Sequence, residues 1–77
     1  MTIPDGYISY YDDNKQHVGK ILASIEIPKQ TREPIVQYLV GYKGKYLVIE
    51  DGSVVLRYSE TKLPSEWRKE LLFHGKR

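Results

Sequence analysis

The residues best equipped for chemistry are rings and cations. Tyr38, Tyr42, Lys43, Lys45, Tyr46, Arg57 and Tyr58 fall between positions 38 and 58, and Lys20 adds a cation upstream. Rings interleaved with cations suit stacking on bases and neutralising phosphates. The same residue types anchor protein interfaces. They also serve a structural use, as cross-strand tyrosine pairs beside solvated lysines. The chain holds seven tyrosines against one tryptophan and one phenylalanine. Tyrosine, with an apolar body and a polar tip, suits half-buried surfaces and surfaces that meet a partner.

Other chemistries have little to stand on. The chain has no cysteine, which removes disulfides, thiolate metal sites and thiol nucleophiles together. His17 and His74 lie far apart, and no metal-ligand spacing surrounds either. Asp12-Asp13-Asn14 begins like a calcium loop but lacks the glycine and glutamate that the loop requires at its sixth and twelfth positions, so it reads as a turn. Glu50-Asp51 and Glu60 read as solvated carboxylates. Gly41-Tyr42-Lys43-Gly44 lacks the spacing of a phosphate loop. The expectation is a non-enzyme with no catalytic residue, metal, cofactor or small-molecule substrate.

Any binding residues must be positioned by one small domain spanning residues 1–77, whose 77 residues support only a thin core. A net charge of +2 and a pI near 8.9 are mildly basic, so the placement of cations matters more than their number. Freedom from cysteine favours a reducing, cytoplasmic setting. The opening Met1 to Gly6 has no signal-peptide pattern, and the longest apolar runs are triplets, so no membrane association is expected.

Apolar residues recur with period two almost throughout. Tyr7 to Tyr11 reads as a first strand, stopped by the Asx-rich turn at Asp12 to Lys15. His17 to Ile27 is a longer strand with Ile21, Ala23, Ile25 and Ile27 on one face and Val18, Lys20, Leu22, Ser24 and Glu26 on the other. Pro28 ends it and opens the one long loop, to Pro34. Ile35 to Tyr42 is apolar on both faces. Lys43-Gly44 and Asp51-Gly52 are tight hairpin turns, giving a three-stranded meander with Lys45 to Glu50 and Ser53 to Tyr58.

After Leu63 the period changes. Pro64-Ser65-Glu66-Trp67 opens a helix, Leu63, Trp67 and Leu71 form one stripe, and Gly75 ends it. A helix of roughly ten residues is unstable alone and must dock. Trp67 is expected to anchor it across one open end of the sheet. The fold class is therefore mainly β: a small five-stranded SH3-like or chromo-like barrel with a short C-terminal helix, the alternative being an open sheet with the helix across one face.

Val18-Gly19-Lys20-Ile21-Leu22 and Gln37-Tyr38-Leu39-Val40-Gly41-Tyr42-Lys43-Gly44 resemble the two strand signatures of chromodomains. Tyr42 stands where that family has a cage tryptophan and Lys45 where it has an aromatic. The resemblance therefore implies a small-barrel fold that binds DNA, RNA or peptides, rather than methyl-lysine recognition.

Two functions follow. The first is a non-catalytic binding domain that contacts nucleic acid through the meander, using Lys20, Tyr38, Tyr42, Lys43, Lys45, Tyr46, Arg57 and Tyr58. The second is a protein-interaction module, such as a small accessory subunit or an inhibitor encoded by a mobile element, whose doubly apolar third strand and surplus tyrosines form the interface, including that of a homodimer. If Lys20, Lys43, Lys45 and Arg57 share one face with the tyrosines, the first gains; a flat, uncharged tyrosine face favours the second. For stability, Trp67→Ala is expected to cost about 3–5 kcal/mol, which a thermal melt would register as a large drop in Tm or as failure to fold.

Overall fold

The computed structural model describes residues 3–75. Its elements are β1 (Tyr7–Asp12), β2 (Lys15–Ile27), β3 (Ile35–Tyr42), β4 (Lys45–Glu50), β5 (Ser53–Ser59) and α1 (Ser65–Gly75). Three two-residue turns join the hairpins. Asp13 and Asn14 (φ 51° and 63°), Lys43 and Gly44 (48° and 77°), and Asp51 and Gly52 (52° and 77°) all adopt left-handed backbone. Two successive left-handed residues make the turn whose twist matches that of paired strands. The first turn is tighter than its sequence suggests, so Asp12 and Lys15 belong to strands and pair with each other.

Neighbouring strands pair antiparallel from β1 to β5, and the sheet closes into a barrel. With an odd number of hairpin-linked strands, the first and last must run the same way. The closing pair is accordingly parallel and holds one bridge, Tyr11 with Ser53. The Tyr11 N–H donates to the Gly52 carbonyl at 2.7 Å, and the Asp12 carboxylate pairs with the Arg57 guanidinium across the same seam.

Two hydrophobic clusters lie back to back across this sheet. Inside the barrel are Tyr10, Val40, Leu47 and Ile49, with Ile8, Tyr38 and Val54 packed around them. Outside, Ala23, Leu39 and Val48 form a cross-strand row on β2, β3 and β4 that meets Leu63 and Trp67. The third strand is apolar on both faces because both are covered: Leu39 and Val40 are each 0% exposed. Its middle is a shared wall between two cores, while Val36, Gly41 and Tyr42 towards its ends stay exposed.

The helix starts where expected, with the Arg68 N–H donating to the Pro64 carbonyl at 3.0 Å. Its stripe of Leu63, Trp67 and Leu71 is the one that docks. It does not close an end of the sheet, however. It lies against the outer wall of the barrel, where Tyr46, Tyr58 and Ile25 pack beside Trp67. Burying Leu39 and Val48 on that wall removes more apolar surface from water than covering a rim would. The expected helix end at Gly75 coincides with the last described residue.

Gly19 is the tightest point of the inner core. It pairs with Ile8, faces inward, and a Cβ there would overlap the Val40 Cγ1 methyl and press on Tyr10 Cε1 at 3.2 Å. Gly19→Ala should therefore destabilise by about 1–3 kcal/mol, the usual cost of overpacking. Thermal denaturation would show this as a loss of about 4–8 °C per kcal/mol in a domain of this size.

Candidate nucleic-acid interface

The hairpin connectivity sends the turns at Asp13-Asn14 and Lys43-Gly44 and the exit of β5 to one end of the strands. The start of β1, the long loop and the Asp51-Gly52 turn go to the other. Charge follows this division. The first end carries Lys15, Lys43, Lys45, Arg57 and Lys62 against Asp12, Asp13 and Glu60. The second carries Asp5, Glu26, Glu33, Glu50 and Asp51 against Lys20, Lys29 and Arg32. The modest net charge therefore includes a basic patch around the Lys43-Gly44 turn, although the seam brings the acidic Asp51-Gly52 turn beside Tyr11 and Asp12.

The positive end gathers most of the residues singled out from sequence. Tyr42 and Lys45 are paired across the hairpin, and the Lys43 ammonium sits over the Tyr42 ring, 5.3 Å from its centroid. Tyr46 pairs with Tyr58 on the outer face, where both are half-buried against the helix core. These two tyrosines have a structural task, and only their remaining surface is available to a partner. Arg57 is half-exposed, but its guanidinium is engaged by Asp12.

Two residues fall elsewhere. Lys20 projects from the outer face of β2 opposite Tyr7, towards the acidic end. Tyr38 lies at the opposite end of β3 from Tyr42. It packs on the inner core and lines a cleft of about 580 Å³ with Arg32, Glu33, Val36 and Asp51. The carboxylates Glu50 and Glu60 sit at opposite ends of the molecule and form no acid–base pair. Glu50 accepts a hydrogen bond from Gln37 Nε2 at 2.9 Å.

Sequence reasoning missed His17. Its imidazole stacks on Tyr10, with centroids 5.5 Å apart, and meets Tyr42 edge-on at 5.8 Å. The row Tyr10–His17–Tyr42 runs from core to surface across three strands and fixes the Tyr42 ring. The signal was available, since the β1–β2 turn places Tyr10 opposite His17. Among the described residues no group of three or more His, Cys, Asp or Glu could hold a metal ion, and no helix is long and apolar enough to cross a membrane.

Beside the turn is a hollow of about 280 Å³ lined by Leu22, Gly41, Tyr46 and Glu60 together with the segment Tyr42 to Lys45. It combines two ammonium groups, phenol rings and one carboxylate, a set that can bind a polyanion and a flat ring at once. No family model, curated protein or solved structure matches this chain significantly.

The Tyr10 hydroxyl has its pKa raised above the ordinary value of 10.0, first by burial and then by the neighbouring Tyr42 and Asp12. A tyrosine that resists ionisation in the folded state leaves stability intact below pH 10. Stability is then lost as pH rises through the folded value, because the unfolded chain ionises first. Urea midpoints measured from pH 9 upward should fall above about pH 10, and the fall should be shallower in Tyr10→Phe.

Proposed function

We propose that this chain is a non-catalytic binding domain of the small-barrel kind, akin in architecture to SH3-like and chromo-like barrels. It contacts nucleic acid through the end that carries the Lys43-Gly44 turn. The observation that carries this reading is local: Lys45 pairs with Tyr42 across the hairpin and the Lys43 ammonium lies over the Tyr42 ring, a basic pole built on an aromatic. A polyanion is drawn to this basic pole. At the basic pole it meets ammonium groups for its phosphates and ring surface for its bases.

The second reading, a protein-interaction module, draws on a different surface. The helix covers the outer wall of β2, β3 and β4 and the end of β5 at Tyr58, while β1 and the starts of β2 and β5 stay largely exposed. There Tyr7, Tyr11, Val18, Val55 and Leu56 are each between 42% and 53% exposed. Sedimentation of the free chain over a concentration series tests whether that wall joins two copies.

The nucleic-acid reading has its own signature. Lys15, Lys43, Lys45 and Lys62 supply the cations at the pole that form no ion pair among the described residues, so log K on duplex DNA should fall with log salt at a slope of about −3 to −4. Lys43→Ala should make that slope shallower by about 0.9, whereas Lys20→Ala, remote from the pole, should leave it unchanged. Absence of DNA and RNA binding at low ionic strength would transfer the assignment to the protein-interaction reading.

A further inference from the structure

We infer that the hollow beside the Lys43-Gly44 turn reads the Watson–Crick edge of an unpaired guanine, and that Glu60 is the residue that selects it. This rests on the nucleic-acid reading above and adds to it a base and a strand state.

The hollow exists because Gly41 has no side chain. A Cβ there would stand 3.2 Å from Leu22 Cδ1 and fill the floor. Leu22 and Tyr46 flank the floor, and Lys43 and Lys45 line the same hollow. Glu60 completes it. Its Oε2 lies 4.0 Å from the point that a Gly44 Cβ would occupy, so the carboxylate hangs over the turn. Among the described residues no lysine or arginine nitrogen comes within 4.0 Å of that carboxylate, although two lysines line the same hollow.

A site built for phosphate alone would gain nothing from Glu60, a fixed negative charge facing an anion. An ionised carboxylate accepts hydrogen bonds through two oxygens and donates none. It therefore favours a ligand that carries two adjacent donors next to its phosphate. Guanine is the one common base with that edge, presenting N1–H and the N2 amino group side by side. Adenine and cytosine place an acceptor nitrogen beside their single amino group, and its lone pair would face the carboxylate. Thymine and uracil flank one N–H with two carbonyls. In a duplex the guanine edge is occupied by cytosine, so the base must be unpaired. The ring then lies over Gly41 against Tyr46, and the lysines take the flanking phosphates.

The test uses the full chain and short labelled thymidine oligomers with one central guanine, inosine, adenine or cytosine, read by fluorescence anisotropy at low salt. The guanine oligomer should bind about tenfold more tightly than the adenine one, the usual scale of a bidentate base contact. Inosine, which lacks the N2 amino group, should lose most of that gain. Glu60→Gln changes an exposed residue and should fold as the parent does, which circular dichroism checks. It should bind all four oligomers alike. Equal affinities in the parent chain, raised uniformly by Glu60→Gln, would make Glu60 a mere repulsive charge and overturn the inference while leaving nucleic-acid binding standing. A guanine preference that survives Glu60→Gln would also overturn it. No binding of any oligomer would instead remove the nucleic-acid reading itself.

Discussion

Leu39 and Val40 are neighbours in sequence, point to opposite sides of one sheet, and are both sealed from water. A domain of 77 residues cannot build one deep core. It builds two shallow ones instead and makes β3 and β4 serve both. Each core is anchored by one large ring, Tyr10 within the barrel and Trp67 outside it. The helix is thus a cover for apolar wall that the barrel cannot itself enclose. Everything at the basic pole is hung from that double-sided wall, because Tyr42 and Lys45 extend directly from the strands that form it.

The same economy explains how the tyrosines divide. Tyr46 and Tyr58 spend their ring faces supporting the helix, and Tyr38 leans on the inner core. Tyr42 is held by His17 and capped by Lys43. The rings at the pole are therefore preorganised, and a ligand that meets them need not freeze them first. Tyr7 and Tyr11 are left on the exposed wall, each about half accessible to solvent among the described residues.

Much of this was legible from the amino-acid sequence where the determinants are local. Positive φ at Gly44 and Gly52 is a demand that the turn itself makes, and Pro64 with the Leu63–Trp67–Leu71 stripe announces a docking helix wherever it docks. Where the helix docks was not legible, because β3 and β4 are apolar on both faces and alternation cannot say which face is inside. Lys20 was misplaced for a related reason. It shares β2 with inward-facing residues but points the other way, and strand membership alone says nothing about the pole it serves. Gly19 reads in sequence as a weakness in a strand, and only the approach of Val40 and Tyr10 reveals it as a fit. Gly41 lies two residues from Lys43 in a hairpin the sequence announces, and Glu60 joins them through the pairing of Lys45 with Ser59.

The parallel seam between β1 and β5 has a consequence for how the chain acquires its shape. Each of the three hairpins closes through a two-residue turn, so those pairings search little conformational space and form quickly. The Tyr11–Ser53 bridge joins residues far apart in the chain and gains a single rung of ladder for the loop entropy it costs. Barrel closure is thus a late event, and its reversal the easiest excursion from the native state. Among the amides held in the barrel ladder, Tyr11 would then exchange fastest, while those of β3 between the two cores would exchange only when the whole molecule unfolds.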